Sequence, residues 1–547
     1  MAKVHGGCLA IRLLKQEGVK YLFGLSGGHI NPFFDACMDE GIEVIDTRHE
    51  QAAAHMADGW ARATGRPGVA AVTAGPGVTD AVTGVANAYE AASPIIVFGG
   101  RSPQREFELG SIQDMDQVKL MTPITKWARS VHETRRIPEF LSMAFRHALA
   151  GRPGPVYLEI PQDILQAEID EEQVVMPRAY RTEARPYGDP AMVKAAVELL
   201  LKAKRPVIIA GSGVWWSGAG AELQEFIETM RLPLVLIGMG RGVVPEDHPL
   251  CFGPTRVGVR EADVVLLIAT RLNYNLAFGR PPLFAEDVKM GQIDIEAGEV
   301  GRNRPIEVGM VGDVKGVLRQ MTEEARERGG RKDSPWVEQC QAYARSRQER
   351  LRAELYSDKV PIHPLRLCRE IADFLDRDAT LVMDGGDITV FGATVLRVYE
   401  PGHWLDNGPL GCLGPGLPFA LAAKLARPDK QVLLLSGDGS FGLNGMEMDT
   451  AIRHKLPVVV VIGNDAAWGM VKHEQEDHYG RTVGTELRLA RYDKMVEALG
   501  GHGEYVERPQ DIRPALERAF ASGLPACVNV RVDPTAVTGR RVACRRG

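Results

Sequence analysis

Short apolar runs rich in β-branched residues recur along the chain, and each is followed by a segment with the residue spacing of an amphipathic helix. Such runs lie at residues 69–73, 94–98, 207–210, 264–268, 432–436 and 458–462. Uninterrupted apolar strands that alternate with helices are typical of parallel sheets covered by helices on both faces. The pattern therefore predicts an α/β fold with mostly parallel sheets.

Two charged, irregular segments interrupt this rhythm and divide the 547 residues into three parts. Residues 166–190 are charged and end in Arg-Pro-Tyr-Gly-Asp-Pro, and residues 326–335 read Arg-Glu-Arg-Gly-Gly-Arg-Lys-Asp-Ser-Pro. Both have little periodicity, as linkers do. They predict domains at residues 1–165, 190–325 and 335–547, each built on a mostly parallel sheet. The first and last parts also share a strand, a glycine turn, a helix, a proline and a further strand at nearly equal spacing, which indicates related domains.

The charge balance limits the range of partners. The formal net charge is −6, which gives no long-range attraction to nucleic acid or to an anionic membrane. No apolar run approaches the roughly 20 residues of a bilayer span, and the N-terminus lacks the layout of a signal peptide. We therefore expect a cytoplasmic protein that binds neither nucleic acid nor a membrane.

A glycine loop, residues 437–442, follows the apolar run 432–436 and reads Gly-Asp-Gly-Ser-Phe-Gly. A G-x-G-x-x-G sequence between a strand and a helix is one signature of dinucleotide binding, and Asp465 lies near the expected place of a ribose-binding acid. An NAD-dependent oxidoreductase is therefore one interpretation. A plain structural turn is another.

Electrostatics favours a metal and a diphosphate at the same loop. The carboxylate of Asp438 would repel a pyrophosphate unless a divalent cation stood between them. Asp438 and Asp465 follow adjacent strands, so both can reach a Mg²⁺ ion whose shell is completed by phosphate oxygens. The glycines would offer backbone N–H groups to the phosphates.

Together, Gly437-Asp438-Gly439-Ser440 and Asn464-Asp465 resemble the thiamine-diphosphate signature of the pyruvate-decarboxylase-like and acetolactate-synthase-like enzymes. The resemblance covers essentially the whole chain. It implies a pyrimidine-binding first domain, a Rossmann-like middle domain and a diphosphate- and Mg²⁺-binding last domain. It also implies that Asp438, Asp465 and the carbonyl of Ala467 ligate Mg²⁺. The family has Asn where this chain has Asp465, which adds one negative charge beside the diphosphate.

In this family a Glu hydrogen-bonds N1′ of the aminopyrimidine, and Glu50 is the matching residue. The sequence places Glu50 between a strand and a helix of small residues, in a dry setting that suits a proton-holding acid. A Glu at a helix start is also explained by the helix dipole alone.

The resemblance places further residues on the cofactor. Leu413 matches the side chain that wedges the bend between the two rings, although a core leucine beside a helix start fits the pattern equally. The other cofactor-binding candidates are Gly386, Asp387, Ile388, Gly411, Cys412, Gly437, Gly439, Ser440, Trp468, Gly469, Met470, Thr73 and Pro76. Family architecture implies that the first domain of one subunit faces the last domain of another, with a homodimer as the minimal active unit and a homotetramer as the expected assembly.

Three local features bear on the substrate. His29, in Gly24-Leu25-Ser26-Gly27-Gly28-His29, and Gln113 resemble the acid/base histidine and the polar anchor of benzaldehyde lyase. His29 is alternatively a loop histidine, and acetolactate synthases carry a similar Gln.

The middle-domain segments 248–253 and 271–282 look like 2-hydroxyacyl-CoA lyase and oxalyl-CoA decarboxylase. That likeness implies that the middle domain could bind ADP or CoA and that FAD is unexpected. Residues 468–479, by contrast, look closer to acetolactate synthase.

The resulting prediction is a thiamine-diphosphate- and Mg²⁺-dependent carbon–carbon lyase or carboligase. Its substrates would be a 2-hydroxyacyl-CoA or an acyloin, and it would release or condense an aldehyde. Within this prediction, Glu50, His29 and Gln113 are the catalytic residues. The alternatives are an acetolactate synthase-like enzyme acting on 2-oxo acids and, from another class, the NAD-dependent oxidoreductase.

Overall fold

The computed structural model describes residues 3–332 and 334–537. They form three α/β units in chain order, and each unit contains a parallel sheet. The predicted fold class is confirmed, and each of the six apolar runs named above lies within a strand except for at most one terminal residue. Residues 538–547, the end of the predicted third domain, lie outside the described residues. The domain boundaries drawn from the two linkers stay predictions.

The first unit is built on a six-stranded parallel sheet. Its strands are β1 (Lys3–His5), β2 (Tyr21–Gly24), β3 (Glu43–Asp46), β4 (Gly68–Val72), β5 (Ile95–Arg101), β6 (Trp127–Ser130), β7 (Val156–Pro161) and β8 (Glu168–Asp170). Its helices are α1 (Gly6–Gln16), α2 (Asn31–Glu40), α3 (Glu50–Thr64), α4 (Pro76–Glu90), α5 (Gln117–Met121), α6 (Ile137–Leu149) and α7 (Gln162–Gln166). The sheet order is β3-β2-β4-β5-β7-β6, and β1 pairs antiparallel with β8 outside this sheet.

The middle unit has a five-stranded parallel sheet in the order β10-β9-β11-β12-β13. Its strands are β9 (Pro206–Ala210), β10 (Leu234–Leu236), β11 (Val264–Ile268), β12 (Lys289–Asp294) and β13 (Val308–Val311). Its helices are α8 (Pro190–Lys202), α9 (Ser212–Ser217), α10 (Gly220–Met230) and α11 (Val314–Glu327). Apolar side chains are buried on both faces of the sheet.

The last unit has a second six-stranded parallel sheet, in the order β15-β14-β16-β17-β19-β18. Its strands are β14 (Thr380–Asp384), β15 (Trp404–Leu405), β16 (Val432–Gly437), β17 (Val459–Asn464), β18 (His502–Val506) and β19 (Ala526–Arg531). Its helices are α12 (Pro335–Arg350), α13 (Arg352–Leu355), α14 (Pro364–Phe374), α15 (Asp387–Val395), α16 (Gly416–Ala426), α17 (Asp438–Asn444), α18 (Glu447–Arg453), α19 (Gly469–Tyr479), α20 (Tyr492–Leu499) and α21 (Ile512–Ala521). Helix α12 packs on the middle unit, where the Trp336 indole donates to the carbonyl of Pro206.

The two six-stranded sheets have the same topology. When the strands of each sheet are numbered in chain order, both sheets read 2-1-3-4-6-5. This agreement supports the relation that the sequence indicates between the first and last units. In both sheets the strand order reverses between the first and third strands, and ligands of such sheets bind beyond the carboxyl ends of the strands at this reversal.

Helices α3 and α16 hold the first and last units together within the chain. Gly59 of α3 faces Phe419 of α16, and a Cβ atom on Gly59 would lie 2.9 Å from the Phe419 Cα. Beside this contact the buried Arg62 pairs with Asp58 at 2.7 Å and stacks on the Phe419 ring. The helices therefore approach closely because a glycine stands at their contact.

Gly59→Ala is expected to destabilise the protein. The new methyl group would overlap the backbone of α16, and overpacking of this kind costs about 1–3 kcal/mol. This cost exceeds the roughly 1 kcal/mol by which alanine is favoured over glycine in a helix. We expect a lower midpoint of thermal unfolding by calorimetry. Gly316→Ala in α11 is the control, because its Cβ would find no atom closer than 3.6 Å. Equal midpoints for both variants would contradict the tight α3–α16 contact.

Within residues 3–332 and 334–537, no helix combines the length and the apolar character needed to cross a membrane.

Candidate functional site

A cavity of about 1300 Å³ lies where the three units meet and is lined mostly by the middle and last units. It brings together most of the residues that the resemblance places on the cofactor and the metal. From the last unit the lining includes Gly386, Asp387, Ile388, Gly411, Leu413, Gly437, Asp438, Gly439, Ser440, Asp465, Ala467, Trp468, Gly469 and Met470. These residues follow β14, β16 and β17, whose carboxyl ends meet at this edge of the sheet.

Two buried carboxyl groups form the centre of this set. Asp438 begins α17 at the end of β16, and only 1% of it is exposed. Burial and the neighbouring Asp465 raise the pKa of Asp438 to about 8. Burial also raises the pKa of Asp465. The Oδ2 atom of Asp438 is buried without a hydrogen-bond partner.

The loop after β17 is held in a fixed shape. Ala466 has φ +55°, a left-handed conformation that few alanines adopt. Asp465 Oδ1 accepts the Ala467 N–H at 3.2 Å, and the Trp468 N–H donates to the Thr485 carbonyl at 2.8 Å. The Leu487 N–H donates to the Ala466 carbonyl at 2.7 Å. These bonds fix the backbone that carries the Ala467 carbonyl.

These groups fit a divalent cation. Two carboxylates that share a buried place repel each other when ionised, and an unpartnered carboxylate oxygen is costly to bury. A hard cation such as Mg²⁺ relieves both penalties, because it takes carboxylate and carbonyl oxygens as ligands. Among the described residues, no cluster of three or more His, Cys, Asp or Glu side chains could hold a metal. A cation here would therefore need backbone and ligand oxygens as well.

Two further positions shape the cradle. A Cβ atom on Gly439 would lie 2.6 Å from the Trp468 ring, so only glycine fits beneath that indole. Leu413 is half-buried and lines the cavity, as expected of a side chain that contacts a ligand. The neighbouring Cys412 lies instead toward α3, with its Sγ 4.0 Å from His55 Nε2.

The loop that carries Leu413 is held by Asp384, which the sequence analysis missed. Asp384 ends β14, is buried, and accepts the N–H groups of Gly414 at 3.1 Å and Gly416 at 2.9 Å. Burial raises its pKa to about 6. The signal in the sequence is an acidic residue that closes an apolar strand directly before Gly385-Gly386.

The first-unit candidates form a second cluster. Glu50 is buried at the start of α3, and its Oε1 lies 3.4 Å from the position of a Cβ on Gly77. The side chain of Thr73 flanks the same glycine and lies 3.3 Å from His29 Nδ1, measured at Thr73 Oγ1. Burial lowers the pKa of His29, and a hydrogen bond with Gln113 opposes that shift. This cluster therefore joins an acid, an imidazole, a hydroxyl and an amide.

Gln113 and Pro76 complete the placement of the first-unit candidates. Gln113 has φ +61° and lies against Gly75, where a Cβ would be 2.8 Å from the Gln113 Cβ. Pro76 is exposed at the start of α4. Glu50, His29, Thr73, Pro76 and Gln113 do not line the large cavity. One chain thus holds the two sets of candidates at separate places.

The middle unit supplies the other wall of the cavity. Its lining includes Trp216, Arg271 and Asp294, and Arg152 of the first unit, in the loop between α6 and β7, lines the same side. Burial raises the pKa of Asp294 to about 6, and the Nε1 of Trp216 is buried without a hydrogen-bond partner. Arg271 lies 3.6 Å from Glu90. Arg280, in the segment compared with the acyl-CoA lyases, is exposed and does not line the cavity.

Comparison with known proteins identifies the family. The thiamine pyrophosphate enzyme N-terminal TPP binding domain matches residues 4–120, the central domain residues 193–321, and the C-terminal TPP binding domain residues 384–530. The chain is a thiamine-diphosphate-dependent enzyme. The glycine loop, residues 437–442, lies within the matched C-terminal TPP binding domain, and none of the three matched domains is a dinucleotide-binding one.

Relatives that match over nearly their full length include proteins of two activity classes. The acetolactate synthase large subunit IlvG of Mycobacterium tuberculosis is 42% identical, over 98% of this chain and 97% of its own length. The 2-hydroxyacyl-CoA lyase 2 of Bos taurus is 34% identical over 97% of this chain and 90% of its own. The 2-hydroxyacyl-CoA lyase of Arabidopsis thaliana is 32% identical over 97% of this chain and 96% of its own length. The chain is therefore a thiamine-diphosphate-dependent carbon–carbon lyase or carboligase, and both classes of substrate are represented among its relatives.

Proposed function

We propose that this enzyme breaks or forms the carbon–carbon bond of a 2-hydroxyacyl compound and so releases or condenses an aldehyde. The observation that carries the proposal is the pairing of the buried His29 with the half-buried Gln113 beside Thr73. Burial lowers the pKa of His29 below its ordinary value of 6.5, so the imidazole is neutral at pH 7. A neutral imidazole accepts the proton of a substrate hydroxyl, and Gln113 orients the oxygen.

Glu50 and the cavity residues handle the cofactor in this proposal. Thiamine diphosphate, when bound, supplies the nucleophilic carbon that attacks a carbonyl group. Glu50 holds the proton at N1′ of the aminopyrimidine, and Leu413 supports the bend between the rings. Asp438, Asp465 and the carbonyl of Ala467 hold Mg²⁺, and the glycine loop receives the diphosphate.

Two subunits complete each site in this proposal. The support is that Glu50 and His29 lie outside the cavity that contains Asp438 and Leu413 of the same chain. A second subunit that brings its own Glu50 to the cavity would join the two halves. The minimal active unit is therefore a homodimer, and a homotetramer is the assembly that we expect.

The middle-unit wall of the cavity suits an adenine nucleotide such as ADP or the nucleotide part of CoA. Arg152 and Arg271 offer positive charge for phosphates, while Trp216 offers an unpartnered N–H donor. We propose no FAD there, because the longer Gly-Met-His-Gly stretch of FAD-containing acetolactate synthases is absent from the sequence.

An acetolactate synthase-like activity is the second candidate. Its support is the 42% identity to the Mycobacterium tuberculosis protein over nearly all of both chains. In that case His29 would act on the hydroxyl formed when two 2-oxo acids are joined after decarboxylation.

Turnover assays with the purified holoenzyme separate the two candidates. With Mg²⁺ and thiamine diphosphate present, we expect aldehyde release from a 2-hydroxyacyl-CoA or from an acyloin, measured by a coupled aldehyde dehydrogenase. His29→Ala should lower this rate by about 10²-fold or more, as is usual for loss of an acid/base group. Acetoin formed from pyruvate after acidification, with no aldehyde release, would overturn the proposal in favour of the second candidate.

A further inference from the structure

The loop that delivers Glu50 is short and is fixed at several atoms. It joins β3 to α3 through residues 47–49. The Thr47 N–H donates to the Gly24 carbonyl at 2.9 Å, and the Thr47 hydroxyl donates to the His49 carbonyl at 2.9 Å. The Gln51 N–H donates to His49 Nδ1 at 3.1 Å. All of these partners belong to the first unit.

The Arg48 N–H group of this loop is held by the last unit of the same chain. The Arg48 N–H donates to both carboxylate oxygens of Glu447, at 3.0 and 3.2 Å. Glu447 begins α18 and is 1% exposed. The Thr450 hydroxyl donates to Glu447 Oε2 at 2.6 Å and so fixes the carboxylate. A contact that spans 399 positions of sequence thus ends two residues before Glu50.

Burial of the Glu447 carboxylate with only these partners costs folding free energy. Among the described residues, Glu447 forms no salt bridge, and burial raises its pKa although the charges of the exposed His49 and of Arg453 oppose that shift. Its hydrogen bonds go to one backbone N–H and one hydroxyl, and burial of an acid without a cationic partner is costly. The neighbouring Asp449 is different, because it is partly exposed and pairs with Arg453 at 2.9 Å.

We propose that Glu447 is a positioning residue that sets the place of Glu50. This inference rests on the proposed role of Glu50 as the acid at N1′. By fixing the Arg48 N–H, Glu447 limits where the first turn of α3 can lie, and therefore how the Glu50 carboxyl meets the aminopyrimidine. A shift of about 1 Å in such a group can cost about a hundredfold in rate.

Three variants of Glu447 test the proposal. Glu447→Gln keeps an oxygen for the Arg48 N–H and should retain most of the turnover. Glu447→Asp and Glu447→Ala withdraw or remove the acceptor and should lower kcat about 10- to 100-fold with little change in KM. Glu474→Gln, at an exposed position of α19 away from this loop, is the control, and we expect wild-type turnover from it.

Two readouts separate positioning from a merely structural role. In the cofactor-free protein, hydrogen–deuterium exchange of the peptide that covers residues 47–51 should be faster in Glu447→Asp and Glu447→Ala, but not in Glu474→Gln. In the loaded protein without substrate, deuterium exchange at C2 of thiamine diphosphate should slow in the same two variants and recover in Glu447→Gln. Glu447→Asp keeps a carboxyl group at the buried position. Both exchange rates can therefore be measured in this variant even if Glu447→Ala does not fold.

The outcomes distinguish this inference from the proposed function. Wild-type exchange at residues 47–51 and at C2 in Glu447→Asp would overturn the positioning role. If Glu50→Gln itself left C2 exchange unchanged, the role of Glu50 would fail, whatever Glu447 does. Loss of turnover with normal exchange at both places would also overturn the inference, because positioning of Glu50 could not be its cause.

Discussion

Replacement of Glu50 by Gln is expected to lower kcat by about 10²- to 10³-fold, the range of a lost acid/base group. The amide has the size of the carboxyl group and fits the same buried place at the start of α3. It cannot share a proton with N1′ as a carboxyl group does. We expect KM and the midpoint of thermal unfolding to change little.

The measurement is steady-state turnover together with the rate of C2 deuterium exchange of the bound cofactor. Glu43→Gln is a suitable control, because Glu43 lies on β3, shortly before Glu50, and is exposed. A Glu50→Gln variant that turns over and exchanges C2 as fast as the Glu43→Gln variant would remove Glu50 from the chemistry.

Affinity for Mg²⁺ and thiamine diphosphate is expected to weaken as the pH falls from 8 to 6. In the cofactor-free protein, burial and Asp465 raise the pKa of Asp438 to about 8, so this carboxyl group is mostly protonated at pH 6. A metal binds the ionised carboxylate, so binding must release the proton. The dissociation constant should therefore rise by up to about tenfold for each pH unit below 8.

Asp465→Asn should flatten this profile. The substitution removes the second cause of the raised pKa of Asp438, while burial, the first cause, remains. Calorimetric titration at pH 6, 7 and 8 measures the effect, with the exposed Glu474→Gln of α19 as the control. Equally steep profiles in the Asp465→Asn and Glu474→Gln variants would show that the two aspartates do not titrate together.

Much of the last-unit site could be predicted from the sequence. Apolar strands that end in Gly, Asp or Asn place their polar residues at one edge of a parallel sheet, because the carboxyl ends of the strands meet there. That rule brings Asp438 and Asp465 together, and they do lie in one cavity. The helix start at Glu50 follows in the same way from a strand end and a run of small residues.

The supporting contacts could not be predicted in this way. Asp384 holds backbone N–H groups about 30 positions away, and Glu447 holds one 399 positions away. Neither contact produces a periodic pattern in the sequence. The donor is a backbone N–H group, which almost every residue carries, so residue type does not reveal which one the carboxylate binds. Family resemblance also did not separate the substrates, because relatives of both activity classes match nearly the whole chain.

The close packing of α3 on α16 has a consequence for the assembled enzyme. The two helices belong to one chain, with Glu50 at the start of α3 and Leu413 shortly before α16. If each catalytic centre draws Glu50 from one chain and Leu413 from another, this tightly packed pair of helices stretches from one centre to its twin. A movement of the helices on binding at one centre would then be transmitted to the other centre. The two centres of a dimer would work in alternation or with cooperativity.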